Sequence, residues 1–173
     1  MEIQSYLHHF ISALHRDYRR ALADLTDAQF YFRPNATTNH IAFTAWHWVR
    51  TEDNIVNFVL QRRNTIWLEG GLDQAWTLPK AAQGTGMPAE EAHAMRVPSV
   101  AAFLAYAEQV WSTTATYLDE VTLADLDRVL LVRPFGEIPA LQALGQTLIA
   151  HGNQHLGELW LTRELQGLTG IGV

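Results

Sequence analysis

The stretch Leu141-Gln-Ala-Leu144-Gly-Gln-Thr-Leu148-Ile-Ala-His151-Gly-Asn-Gln-His155-Leu-Gly-Glu158-Leu-Trp-Leu-Thr162-Arg-Glu-Leu165 decides how the chain is read. Leu141, Leu144, Leu148, His151, His155, Glu158, Thr162 and Leu165 alternate in steps of three and four, the seam of a helix packed in a bundle. His151 and His155 are one turn apart, so both imidazoles share a face. Ionisable groups in a leucine-built seam are costly unless something satisfies them. A divalent ion does so, because neutral imidazole is a good ligand for zinc, nickel, copper or iron. Bonds to carbonyls or water would do so as well, leaving two core-edge histidines without an ion. The residue after His151 is Gly152, not the glutamate of His-Glu-x-x-His, so peptide hydrolysis by that route has no support.

Three further segments carry helical periodicity, and none shows sustained strand alternation. The first runs from about Ile3 to Leu25, with Ile3, Leu7, Phe10, Leu14, Tyr18, Leu22 and Leu25 on its apolar face. Thr26-Asp27 and Arg33-Pro34-Asn35 break it. The second starts at the capping residues Thr38-Asn39 and runs to about Arg62. Its half from Ile41 to Val49 is apolar almost all round, which predicts either a central position or a subunit interface. The third starts at Pro98-Ser99, with Val100, Phe103, Ala107, Val110, Thr114, Tyr117 and Val121 inward. The fourth runs from about Pro139 to Gln166 and stops at Gly167, a C-cap glycine. Between the second and third, Asn64 to Pro98 reads as a long crossover with one helical turn near Glu90 to Met95. Loops of that length in compact domains are usually functional or mobile. The expectation is an all-α four-helix bundle with a long crossover loop between helices 2 and 3, one domain over residues 1–173.

Composition narrows the function classes. A hydrophobic share of 48% against 17% charged residues is a globular balance, not a disordered one. With 12 Lys plus Arg, 18 Asp plus Glu and a formal net charge of −6, no nucleic-acid partner is expected. No cysteine is present, which excludes disulfides, thiolate metal ligands and a protein-borne thiol nucleophile. Met1-Glu-Ile-Gln-Ser5 lacks the order of a signal peptide, and no apolar run approaches the ~20 residues of a membrane span. A cytoplasmic protein without a membrane partner is the expectation.

An open three-ligand site needs a third donor. His47 is the best placed, in the apolar half of helix 2 between Trp46 and Trp48. His8 and His15 share a helix flank, His40 sits where it can serve the first turn of helix 2, and His93 lies in the crossover at a solvated position. Glu158, on the face of His151 and His155, could be a fourth ligand, an orienter of an imidazole or a general base, and equally could bond an arginine or tyrosine nearby.

Ala45-Trp-His47-Trp-Val-Arg-Thr-Glu-Asp53, followed after a long gap by His151-x3-His155-x-Gly157-Glu158, resembles the DinB/YfiT-like superfamily. The resemblance extends from the Arg33-Pro34 turn to the closing Leu165-Gln-Gly-Leu168. It implies a four-helix bundle with an unusual crossover and a homodimer. It also implies a divalent ion, nickel or zinc, held by His47, His151 and His155. Some members of that family use a small-molecule thiol in S-transfer or isomerisation, and many have no assigned activity. Three functions follow: a metal-dependent transferase or hydrolase in which Glu158 acts in catalysis, a non-catalytic metal-binding or stress-response module, and a dimeric interaction protein with ion-free core histidines. The apolarity of Ile41 to Val49 adds to the expectation of a homodimer with helix 2 in the contact.

Overall fold

The computed structural model describes residues 2–170. The chain opens with α1 (Ile3–Leu22), whose buried face is Leu7, Ile11, Leu14, His15, Tyr18, Ala21 and Leu22. Ile11 takes the inward position expected of Phe10, which is 39% exposed. The helix stops at Leu22 because Thr26 begins a separate turn, α2 (Asp27–Phe30), closed by a capping box with Gln29.

The helix α3 (Ile41–Asp53) continues through a π-helical stretch, Asn54–Leu60. Its cap is neither Thr38 nor Asn39 but His40, whose Nδ1 accepts the Phe43 backbone N–H at 2.9 Å. Every residue from Ile41 to Asp53 except His47 is buried inside one chain. Of the two readings of the apolar run, the central position holds, and the run offers no surface for a second subunit.

The crossover carries more structure than its composition suggested. It contains α4 (Ile66–Glu69), α5 (Leu72–Ala75) and α6 (Ala89–Ala94), the last being the turn expected near Glu90. Asp53, fully buried, draws α4 down: Oδ1 accepts from the backbone of Ile66 at 2.9 Å and Oδ2 from that of Trp67 at 3.0 Å. Tyr106 donates its hydroxyl to Oδ2 at 2.8 Å, so one carboxylate joins α3, α4 and the next helix. That helix, α7 (Val100–Glu120), is capped by Ser99, and Val100, Phe103, Ala107, Val110, Thr114, Tyr117 and Val121 are all buried as expected.

The connector after α7 departs from the all-helical expectation. After α8 (Leu123–Asp127), β1 (Val129–Val132) and β2 (Gly136–Pro139) form an antiparallel hairpin that pairs Leu130 with Ile138. Val129-Leu-Leu-Val132 is apolar at every position, so period-2 alternation could not reveal it. Leu130, Val132 and Ile138 point into the core while Val129 and Leu131 are more than half exposed. Gly136, at φ 85°, allows the return of the chain after Pro134 and Phe135.

The last helical segment begins with α9 (Ala140–Ala143), becomes π-helical over Leu144–Ala150, and ends as α10 (His151–Glu164). Gly167, at φ 77°, terminates it, and the Leu168 N–H reaches back to the Arg163 carbonyl at 3.1 Å, the 6→1 bond of a Schellman motif. The π-helical stretch shifts the helix phase. Beyond Leu148 the buried positions are Gly152, Leu156, Leu159, Trp160 and Arg163, whereas Leu165 is 55% exposed and Glu158 lies at the surface. The regular seam therefore ends at Leu148, and His151, His155 and Glu158 sit at the margin of the core.

The fold is all-α apart from this hairpin. The long segments pack in a ring: α1 on α7, α7 on α3, α3 on α10, and α10 back on α1. One buried cluster centres on Trp46, Trp48, Trp67, Tyr106 and Phe103, the other on Ile11, Val56, Leu144 and the hairpin. Among the described residues, no helix is long and apolar enough to cross a membrane.

Candidate metal centre

The contact of α3 with α10 is unusually close because a glycine permits it. A Cβ on Gly152 would fall 2.7 Å from Nε1 of Trp48. The Trp48 indole lies against α10 and stacks on Tyr18 at 4.0 Å between centroids. Tyr18 donates its hydroxyl to the Gly152 carbonyl at 3.1 Å. Neighbours of these two residues, His47 on α3 and His151 on α10, are thereby brought face to face.

The result is a convergence of ring nitrogens. His47 Nε2 lies 3.1 Å from His151 Nε2, which lies 2.9 Å from His155 Nε2. The three rings are nearly perpendicular to one another, at 87°, 83° and 71°. The far nitrogens are held by acceptors. His47 Nδ1–H donates to the Gln83 carbonyl, and His155 Nδ1–H to the Glu158 carboxylate at 2.8 Å. With those protons on Nδ1, the Nε2 atoms of His47 and His155 both carry lone pairs toward the centre. Lone pairs converging in this way repel unless a cation or proton lies between them. Tetrahedral ligands at about 2.0–2.1 Å from zinc stand about 3.3 Å apart, near the spacings found here. His47, His151 and His155 thus form a group that could hold a metal ion.

Burial favours the neutral form of His47 and His151. Burial, reinforced by His155 and His47, pushes His151 down to about 4. Burial also lowers His47, against the opposing pull of the Gln83 carbonyl. Glu158 is lowered, first by its hydrogen bond from His155, so it stays an anion. A neutral, deprotonated donor set is what a divalent ion requires.

Glu158 stands behind His155 and is absent from the walls of the cavity described next. Of its three possible roles, orienting an imidazole is the one its contact supports. A cavity of about 890 Å³ opens against the other side of the centre, with His47 and His151 in its wall. The two π-helical stretches, the hairpin tip and, from the crossover, Gln83 and Thr85 line it. The contacts of Gln83 and Gly84 with His47 and Phe43 are ones the sequence reading did not single out. Gly84, at φ 93° and with a built Cβ only 3.0 Å from Phe43, lets the crossover lie flat over Phe43 and His47. A Gln-Gly pair in a crossover was the available signal.

The other histidines are elsewhere. His40 caps α3. His15 bonds the fully buried Glu52 at 2.9 Å, whose Oε1 also accepts from Thr114 at 2.6 Å. His8 meets Ser12 and Asp119 at the surface. His93 is not solvated as expected: it is half-buried against Arg33, because α6 folds the crossover onto the body.

Three histidines converging from two neighbouring helices beside a crossover make this a helical protein with a candidate metal site. The chain belongs to the DinB superfamily, whose family model matches residues 11–159. A crystal structure of a conserved protein from Enterococcus faecalis shares the fold, with a TM-score of 0.83 at 20% identity, covering 95% of this chain and 97% of the other. No curated protein matches the chain.

Proposed function

We propose that this chain binds one divalent ion, nickel or zinc, through His47, His151 and His155, and uses it as a metal-dependent transferase or hydrolase of small molecules. One observation carries the reading: three imidazoles converge on Nε2 while backbone and carboxylate acceptors secure Nδ1 of His47 and His155. An ion there would supply Lewis acidity and a site for hydroxide or for the thiolate of a small-molecule cosubstrate. The chain itself supplies the rest. Gln83 fixes the His47 ring and Glu158 the His155 ring, and the cavity admits reactants on the side of His47 and His151. The cavity is what favours an enzyme over a non-catalytic stress-response module, since a structural staple needs no adjoining space.

A single domain, a cytoplasmic location and a homodimer belong to the same proposal. The subunit contact would have to use a surface other than Ile41 to Val49. The test is a screen of metal-loaded protein for thiol transfer to electrophiles and for ester hydrolysis, with His47→Ala as the blank. Turnover that disappears in the blank supports the reading. Inactivity of the fully loaded wild type toward both classes favours the non-catalytic module.

A further inference from the structure

The cavity beside the centre has a charge pattern of its own. The chain carries a formal net charge of −6, yet no Asp or Glu side chain lines this cavity, and Arg133 at the hairpin tip is the one formally charged residue in its wall among the described residues. No carboxylate lies within ion-pairing distance of Arg133 among the described residues. The mouth is apolar. Phe58, Leu131 and Phe135 line it and are 55%, 62% and 46% exposed, so three of the exposed large apolar side chains among the described residues gather at one opening. Grouped exposed apolar residues at a concave surface mark a ligand groove, whereas scattered ones do not. Deeper in, the Gln146 side-chain oxygen is buried without a partner. A ligand O–H or N–H would satisfy it.

We infer that the cavity takes a small-molecule monoanion with an apolar body, its carboxylate against Arg133 and its apolar portion against Phe58, Leu131 and Phe135. The volume of about 890 Å³ is within the range of sites for small organic ligands. Among the side chains of this wall a cationic ligand would find no counter-charge, and an anion would find only Arg133. The inference rests on the proposed centre for where the reacting end lies, toward His47 and His151. The anionic end depends on Arg133 alone.

Three eight-carbon probes isolate the charge: octanoate, octanamide and octylammonium, titrated calorimetrically into metal-loaded wild type and into metal-free His155→Ala protein. Octanoate should bind tightest in both. Arg133→Gln should weaken octanoate about fivefold, the most an exposed ion pair contributes, and leave octanamide within twofold. Phe58→Ala should weaken both about tenfold; Phe58 is more than half exposed, so the variant should keep its fold, checked by circular dichroism. Octylammonium binding as tightly as octanoate, or octanoate binding indifferent to Arg133→Gln, overturns the inference. So does a second copy of the chain covering the mouth, seen by light scattering together with no binding of any probe. Octanoate bound in an Arg133-dependent way by protein that never takes up metal would retain this inference while refuting the centre. Metal uptake without octanoate binding would do the reverse.

Discussion

Replacing Gly152 with alanine should damage both stability and the metal centre, by an amount the packing sets. The new Cβ would meet Trp48 Nε1 at 2.7 Å, Cε2 at 2.9 Å and Cζ2 at 3.0 Å. The indole cannot turn away: it is fully buried, stacked on Tyr18 with 18° between planes, and Nε1 faces the Leu148 carbonyl at 3.4 Å. Relief therefore requires α3 and α10 to separate. Overpacking of this kind costs roughly 1–3 kcal/mol, and a clash with rigid ring atoms belongs at the upper end. The helix gains about 1 kcal/mol from the loss of glycine, leaving a net loss of about 2 kcal/mol. For a chain of this size that is about 4–8 °C in melting temperature. Separation also spreads His47 from His151, and metal affinity should fall by about tenfold, as when a supporting residue is lost. Gly157 is the control, because a Cβ there meets nothing within 4 Å. Gly157→Ala should gain up to about 1 kcal/mol and leave affinity unchanged. Thermal unfolding of the metal-free variants and a competition titration against a chelator measure both effects. If Gly152→Ala melts with Gly157→Ala and binds metal like wild type, the close approach of the two helices does not set the centre.

Asp53→Ala should cost about 3–5 kcal/mol by urea denaturation, since it strands the buried Arg50 guanidinium and the donors of Ile66, Trp67 and Tyr106. Asp24→Ala, whose partner Arg163 is buried but whose own side chain is 63% exposed, should cost less. In metal-free protein, stability should fall as pH drops from about 6.5 toward 4. His40 and His151 are both lowered to about 4, so the unfolded chain binds protons in that window that the native state refuses, and above it the dependence should flatten. His40→Asn, which keeps a cap acceptor, should make the fall shallower when denaturation midpoints are compared at pH 7.5, 6 and 5. Glu158→Gln should weaken metal binding by about 10–100-fold while one equivalent still binds at saturation, read by the same chelator competition. Loss of turnover at saturating metal would instead give Glu158 a part in catalysis.

The sequence carried the long helices well where a single physical rule governed them. Six inward positions of α7 and its cap residue Val121 follow from the period alone, and the apolar run at Ile41 to Val49 announced a helix surrounded by protein. The fourth helix shows where that rule stops. A π-helical stretch over Leu144–Ala150 shifts the phase, and nothing in the residue pattern marks it, so Glu158 and Leu165 read as core although they face outward. The histidine pair was legible from i, i+4 spacing, but the choice of His47 as third donor leaned on family likeness. The Gln83 carbonyl that holds the His47 ring and the Asp53 carboxylate that accepts the Ile66 N–H of α4 make contacts between backbone and residues far apart in the chain. Spacing rules describe one helix at a time and do not reach them. The hairpin was hidden because its first strand, Val129–Val132, is apolar on both its buried and its exposed side.

The central claim is that His47, His151 and His155 hold one divalent ion, and metal content after loading tests it most directly. Untagged wild type and His155→Ala, each loaded with nickel or zinc, desalted and measured by elemental analysis, should hold one equivalent and none. Wild type that retains no metal, or His155→Ala that keeps a full equivalent, would contradict the account.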